Sequence, residues 1–432
     1  MSADPSQEQP AYPIQPRGVS RRSFLSRGAA AAITLPSMAA FLEACAKKST
    51  TSGGSGPAPT AAFSVASPEH PVTWPIYPDN KPIASGLTPE KNATLNVYTY
   101  VDYFDKGAIK TFQEKYKEYN VKVQITTFED TTTALGNIKT GAVQADIYNP
   151  SYDQIGKMVT AKLLAPLNHD YIPNISNVWP TYANPFYDQG WQYTVPYTIY
   201  TTGIAWRKDL VSENPYAMKN PWELLWQPKY KGRVAILDDY REGISLGLMK
   251  SGMYDLNTTD YRQIATSRKA LQDLTSLVNV RIDNNDYTEV PSASTWIHHA
   301  WSGDMAAAGY YMPKGVPVSR VGYWFPSDGR GPVANDTNVV LRSAKNPVLA
   351  HMFLNYFLDL PNVLNNISFN GYMQPSNGVT PQVLVKEQIL PPALLSTVVL
   401  PSYFRRGVAE LQLPVDVDAL WQQAWLVVSN GI

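Results

Sequence analysis

The chain has 432 residues, in which 36 Lys and Arg balance 36 Asp and Glu. A balanced charge gives no electrostatic support for nucleic-acid binding, which requires a basic surface. A chain of this length is longer than a domain with a single hydrophobic core usually is, so two lobes are predicted. The chain also has 27 Tyr and 11 Trp, which indicate flat aromatic surfaces for a ligand as well as a core.

Residues 1–44 have the organisation of an export signal. The basic segment SRRSFL at 20–25 precedes a mostly apolar run at 28–42, which contains Pro36. This run is shorter than the ~20 residues that a membrane span needs, so a cleaved signal is predicted rather than a transmembrane helix. The paired arginines resemble a twin-arginine signal, with an ordinary Sec signal as the alternative.

Cys45 is the only cysteine and follows directly after the apolar run. The segment LEAC at 42–45 resembles the lipobox of bacterial lipoproteins, although Glu43 stands where a small or apolar residue is usual. We predict that Cys45 is lipidated and anchors the protein to the outer face of the cytoplasmic membrane; an unpaired thiol is the alternative. Residues 45–92 are polar and Pro-rich, without apolar periodicity, and are predicted to form a flexible tether.

Strand-like and helix-like patterns alternate from residue 94 onward. Strands are predicted at 94–100, 121–125 and 145–149, with helices at 108–119 and 131–140 between them. This βαβαβ order predicts a parallel sheet. A helix at 222–226, a strand at 233–237 and a helix at 242–251 predict a second α/β lobe, and a strand at 337–341 with an apolar helix at 348–357 follows.

Aromatic and acidic side chains cluster directly after three of these strands. In open α/β sheets, ligands bind at the carboxyl ends of the strands. The three segments are YVDY at 100–103, SYD at 151–153 and DDYRE at 238–242. Helix capping is the alternative for any single aspartate, such as Asp105 or Asp238. Three such segments together are harder to explain by capping and predict a ligand site.

The ordered motifs give the chain a resemblance to a known family. They are VYTYVDY at 97–103, YTVPY at 193–197, TGI at 202–204, PKYKG at 228–232, LDDYRE at 237–242, NTTD at 257–260, WSGD at 301–304 and GY at 371–372. Over residues 95–377 the chain resembles the spermidine/putrescine-binding proteins of ABC importers, a branch of the type II periplasmic binding protein fold.

The resemblance implies two α/β lobes joined by a hinge, with the ligand in the interlobe cleft. Lobe 1 is expected at 93–201 and 334–375, and lobe 2 at 202–333 and 376–432. The residues implied to bind the ligand are Tyr100, Asp102, Tyr103, Ser151, Tyr152 and Asp336 from lobe 1, with Asp239, Glu242 and Trp301 from lobe 2. Three positions depart from the family pattern: Tyr100 replaces Trp, Asp153 replaces an aromatic residue, and Ala334 stands where an aromatic residue precedes the acid.

These residues suit a polyamine, whose ammonium groups are separated by short methylene runs. Carboxylates bind the ammonium groups, and aromatic walls cover the methylenes. We therefore predict an extracytoplasmic substrate-binding protein that delivers a polyamine to a permease. It is expected to be a monomer that needs no cofactor or metal.

Two other functions fit the sequence less well. A hydrolase is disfavoured because none of the five histidines lies in a Gly-x-Ser-x-Gly or His-Glu-x-x-His motif. His298 and His299 are adjacent and point apart on a regular element, so a surface or packing role is expected for them. An oligosaccharide would suit the aromatic residues, but several carboxylates in one cleft repel one another unless a cation is present.

Overall fold

The computed structural model describes residues 66–128 and 131–431. The predicted export signal, Cys45 and the first part of the predicted tether lie outside the described residues. Within this described part, no helix combines the length and apolar character needed to cross a membrane.

The described residues contain nine strands and twelve α-helices. The strands are β1 (Thr94–Tyr100), β2 (Lys122–Phe128), β3 (Ile147–Tyr148), β4 (Thr194–Arg207), β5 (Val234–Ile236), β6 (Arg281–Ile282), β7 (Ile297–Trp301), β8 (Val321–Trp324) and β9 (Val333–Val340). The helices are α1 (Lys106–Lys115), α2 (Thr131–Thr140), α3 (Ile155–Thr160), α4 (Tyr240–Lys250), α5 (Tyr261–Val278), α6 (Asp286–Ser292), α7 (Ser302–Ala306), α8 (Pro347–Tyr356), α9 (Leu360–Asn370), α10 (Pro381–Lys386), α11 (Pro401–Arg406) and α12 (Val415–Ser429).

The strands form one mixed sheet in the order β2-β1-β3-β9-β4-β7-β5-β6, and β8 pairs with β4. β1 runs parallel to both β2 and β3, which confirms the βαβαβ prediction. β5 runs parallel to β6 and β7, as expected for a second α/β unit. The α/β fold class predicted from the alternating patterns is therefore confirmed.

β4 connects the two halves of this sheet. Residues 194–201 pair with β9, whereas residues 202–207 pair with β7 and β8. Its sequence TVPYTIYTTGIAWR is rich in β-branched and aromatic residues, which favour a strand that is buried on both faces. Because this strand belongs to both halves, its midpoint is where side chains from both can meet.

Three hydrophobic clusters lie among the described residues, and they do not divide at this midpoint, because Ile199 and Ala205, from the two halves of β4, belong to the same cluster. One cluster includes Phe112 of α1 and Phe353 of α8, and another includes Trp222, Ile244 of α4 and Trp421 of α12. The exact lobe boundaries given above remain a proposal, because the strands form a continuous sheet.

The described part of the predicted tether, residues 66–92, packs against the first half of the sheet. Trp74 is 7% exposed, and its Nε1 donates a hydrogen bond to the carbonyl of Tyr187 at 2.6 Å. The side-chain amide of Asn80 donates to the carbonyl of Leu164 at 2.8 Å. Residues 66–92 are therefore not a flexible tether. Their contacts are with residues far away in the sequence, so the composition of the segment alone could not predict them.

Candidate ligand site on the central strand

Three side chains on one face of β4 define the candidate site. Thr198, Tyr200 and Thr202 alternate along the strand and therefore point to the same side. The Thr198 hydroxyl donates to Asp336 at 3.4 Å, and the Thr202 hydroxyl donates to Glu242 at 2.7 Å. The two threonines are four residues apart, or roughly 13 Å at about 3.3 Å per residue. Two carboxyl groups thus lie at the ends of a face whose centre is Tyr200.

Asp336 of β9 forms the first end. Its side chain accepts hydrogen bonds from Ser151 Oγ at 2.7 Å, from the Tyr103 hydroxyl, and from Thr198. Burial raises the pKa of Asp336, while the donors Tyr103, Ser151 and Thr198 oppose that shift by stabilising the carboxylate. The structure therefore brings together three of the predicted site residues, Tyr103, Ser151 and Asp336.

Glu242 of α4 forms the second end. Its Oε1 accepts hydrogen bonds from Thr202 and from Trp301 Nε1, each at 2.7 Å, whereas its buried Oε2 has no hydrogen-bond partner among the described residues. Burial, followed by the Glu410 and Asp239 carboxylates, raises the pKa of Glu242 well above its usual range. A buried acid with a free oxygen and acidic neighbours is unfavourable alone and is stabilised by a cation.

Asp239 lies at the N-terminus of α4. Its Oδ1 accepts the backbone amides of Arg241 at 2.8 Å and Glu242 at 3.1 Å, and the helix begins at the next residue. These are the bonds of an N-cap residue. The helix-capping alternative is therefore observed for Asp239, and its contact with a ligand remains a prediction.

A wall of half-buried aromatic rings separates the two acidic ends. The Tyr200 ring lies 6.3 Å from the Trp301 ring and 5.8 Å from the Tyr372 ring, both edge to face. The Tyr100 ring is half-buried beside Tyr103, with 5.3 Å between the ring centres. Such rings cover apolar groups, and their faces attract cations.

Asp102 and Tyr152 are the two remaining predicted site residues. Asp102 adopts a left-handed conformation with φ of 53° in the turn after β1, and its side chain forms no hydrogen bond with any described residue. Asp tolerates this conformation better than most residues. Tyr152 is 4% exposed and stacks on Tyr187 with 5.3 Å between ring centres. That Asp102 and Tyr152 contact the ligand remains a prediction, which none of their observed interactions supports.

Tyr200 and Glu410 belong to this region but were not predicted from the sequence. Tyr200 could have been found from the alternation of polar side chains along a long strand. Glu410 lies between α11 and α12 in a segment without a recognisable motif, so no local signal marks it. Burial raises the pKa of Glu410 to about 7, partly offset by Arg241, with Asp239 and Asp153 adding to the increase.

Two other features are less suited to a cationic solute. A cavity of about 470 Å³ beside Trp206 and Tyr216 has a single carboxylate, Glu213. Burial opposes ionisation of Glu213, but hydrogen bonds from Lys229 and Tyr230 prevail and lower its pKa to about 2.

Asp283, Glu289 and His298 lie close enough to share a metal ion, but the Arg281 guanidinium already pairs with both acids. His298 and His299 are fully buried, in agreement with a packing role.

Comparisons with known proteins place these observations in a family. Residues 107–390 match the family described as bacterial extracellular solute-binding protein. The chain is 28% identical over 283 residues to spermidine/putrescine-binding periplasmic protein 1 of Haemophilus influenzae, covering 65% of this chain and 74% of that relative. It is 29% identical over 291 residues to the spermidine/putrescine-binding periplasmic protein of Escherichia coli, covering 66% and 79% respectively.

A solved structure shows the same fold. It is the spermidine/putrescine ABC transporter substrate-binding protein of Streptococcus pneumoniae, which is 24% identical with a TM-score of 0.63. The match covers 79% of this chain and 99% of that protein.

Proposed function

Because the chain belongs to the family of bacterial extracellular solute-binding proteins, we propose that it captures a polyamine outside the cytoplasm and delivers it to an ABC importer. It acts as a binding protein rather than an enzyme. The observation that carries this proposal is the pair of buried acids, Asp336 and Glu242, at the two ends of an aromatic face. The names of the two curated relatives, both spermidine/putrescine-binding proteins, agree with it.

The chemistry of a polyamine matches this arrangement from end to end. One ammonium group binds at Asp336 and another at Glu242, while the methylenes between them lie against Tyr200 and Trp301. Charge-assisted hydrogen bonds contribute about 1.5–3 kcal/mol each. Three or four such bonds reach the ~8 kcal/mol of micromolar binding after the costs of desolvation and closure. A neutral sugar would leave the acids without a counter-charge.

A thermal-shift screen tests the proposed function. The panel contains putrescine, spermidine, agmatine, amino acids and sugars. A ligand at about 100 times its dissociation constant stabilises the folded state by roughly 2.7 kcal/mol. We expect a rise in melting temperature with at least one polyamine and none with the sugars. Stabilisation by a sugar, with no response to any amine, would assign the cleft to an oligosaccharide instead.

We also propose that a diacylated Cys45 anchors the mature protein as a monomer to the outer face of the membrane. Export is by the twin-arginine route. The support is the lone cysteine directly after the apolar run, behind the paired arginines Arg21 and Arg22. Cys45→Ala is expected to move the protein into the soluble extracytoplasmic fraction or leave its precursor uncleaved, as followed by membrane fractionation and intact mass. A variant with the wild-type membrane distribution and mass would exclude Cys45 as the anchor.

A further inference from the structure

The segment that carries Glu410 is held on both sides by hydrogen bonds to residues near α4. The Asn257 side chain accepts the amide of Leu411 at 2.6 Å and donates to the carbonyl of Ala409 at 2.8 Å. Arg241 donates to the carbonyl of Leu411 at 2.7 Å. Because the backbone is held at both neighbours of Glu410, the direction of its side chain is restricted.

The Glu410 carboxyl lies over the first two turns of α4, beside Glu242. Its Oε1 accepts a hydrogen bond from Ser245 Oγ at 3.4 Å, and Ser245 is fully buried. Ser245 follows Glu242 by three residues, so both side chains project from the same face of the helix. The free Oε2 of Glu242 and the carboxyl of Glu410 therefore belong to one acidic cluster at the end of the proposed ligand site.

We propose that Glu410 and Glu242 together bind one ammonium group of the ligand, and that binding releases the proton that these two acids share in the empty protein. This inference rests on the proposed function and adds a specificity-determining residue to it. In the step, a carboxylic O–H bond breaks and the proton passes to solvent. The carboxylate then accepts an N–H of the ammonium group, which keeps its own protons.

Around Glu410 and Glu242, acidic side chains outnumber basic ones. Glu410 faces Arg241, Asp239 and Asp153, and Glu242 faces Asp239 as well as Glu410. Arg241 is the cation of this cluster, and it also donates to the Leu256 and Leu411 carbonyls. Neutral hydroxyls of Tyr152, Tyr200 and Tyr323 complete the surroundings. Glu242 is buried and Glu410 is half-buried. Two such neighbouring acids cannot both ionise without a further cation, so in the empty site they retain a proton.

The sign of the pH dependence follows from this retained proton. Burial raises the pKa of Glu410 to about 7, above the value of an unfolded glutamate. The empty protein therefore loses stability as pH rises through 7, because the folded state holds a proton that the unfolded state has released. Ligand affinity changes in the opposite direction. It should rise about tenfold from pH 6 to pH 8, because at pH 6 the ligand must displace a proton. Alkylammonium groups, like lysine, stay protonated throughout this range.

Isothermal titration of the purified protein with putrescine and with spermidine tests the inference. At pH 6.5, titrations in phosphate and in Tris are expected to show release of about one proton per ligand, since the two buffers differ in protonation enthalpy. Glu410→Gln is expected to abolish most of this release, flatten the rise of affinity with pH and weaken binding at pH 8. Glu410→Asp keeps the titrating group and should keep the release. Glu213→Gln is the matched control, because the pKa of Glu213 is about 2 and it does not titrate near neutrality.

The possible results separate this inference from the proposed function. Amine binding by wild type with no proton release, or with release that is unchanged in Glu410→Gln, overturns the inference and leaves the function standing. Failure of wild type to bind putrescine, spermidine or agmatine overturns both. The melting temperature of the empty protein gives an independent readout, which should fall from pH 5 to pH 8 in wild type and change less in Glu410→Gln.

Discussion

Replacing Glu242 with glutamine is expected to weaken polyamine binding by more than tenfold without destabilising the empty protein. Losing a charge-assisted hydrogen bond costs about 1.5–3 kcal/mol of binding free energy, and about 1.4 kcal/mol corresponds to a factor of ten. The empty protein tolerates the change because burial and neighbouring acids already favour the neutral form of Glu242. Glutamine keeps an oxygen that can accept the bonds from Thr202 and Trp301.

Calorimetric titration and thermal unfolding, compared across three variants, check this prediction. Asp239→Asn removes a neighbouring charge but keeps the N-cap, since Asn caps helices as well as Asp does. Asp239→Ala removes the cap and should cost about 1 kcal/mol of stability. If Glu242→Gln binds the polyamine as wild type does, Glu242 is not a ligand residue and the assigned site is incorrect.

Replacing Asp336 with asparagine is expected to weaken binding by a similar factor at the other end of the site. Asp336 is 5% exposed and its charge is stabilised by three hydroxyl donors, so the carboxylate is prepared to accept an ammonium group. Asparagine keeps a similar shape but loses the charge, and its NH2 group replaces an oxygen that accepts from these hydroxyls, so the hydroxyls must reorient to accept from it. A modest loss of stability, about 1 kcal/mol, should accompany the loss of affinity.

Ser151→Ala is the matched control for Asp336→Asn. It removes one neutral donor to Asp336 and leaves the carboxylate in place, so its loss of affinity should be clearly smaller. Small-angle scattering adds a second readout, because a ligand held by both halves of the sheet should make the protein more compact. Tight binding by wild type with an unchanged radius of gyration would contradict a hinged cleft, and equal affinity losses in the two variants would contradict a direct role for the Asp336 charge.

The local pattern of polar and apolar residues was sufficient to predict many of the strands and helices. The first strand was predicted at 94–100 and observed as Thr94–Tyr100, and the helix at 131–140 was observed as Thr131–Thr140. Polar and apolar residues alternate with a period of two in strands and of about 3.6 in helices. Both periods are visible in a short window of sequence, so these elements can be predicted locally. The helix predicted at 222–226 is instead a 3₁₀ helix, Pro221–Trp226, which begins with a proline.

The sequence by itself determined the α/β class and the parallel βαβαβ unit, whereas the site residues were implied by the family resemblance. The structure places Tyr103, Ser151 and Asp336 in one hydrogen-bonded group and Glu242 with Trp301 in another. Only the tertiary structure decided which acids have free oxygens and which cap helices. Asp239 and Glu242 are three residues apart, yet one binds backbone amides and the other keeps a free buried oxygen. It also brought Glu410 beside Glu242, 168 positions earlier in the chain. The physical reason is that hydrogen-bond partners and burial arise from contacts between distant segments, which no local window of the sequence contains.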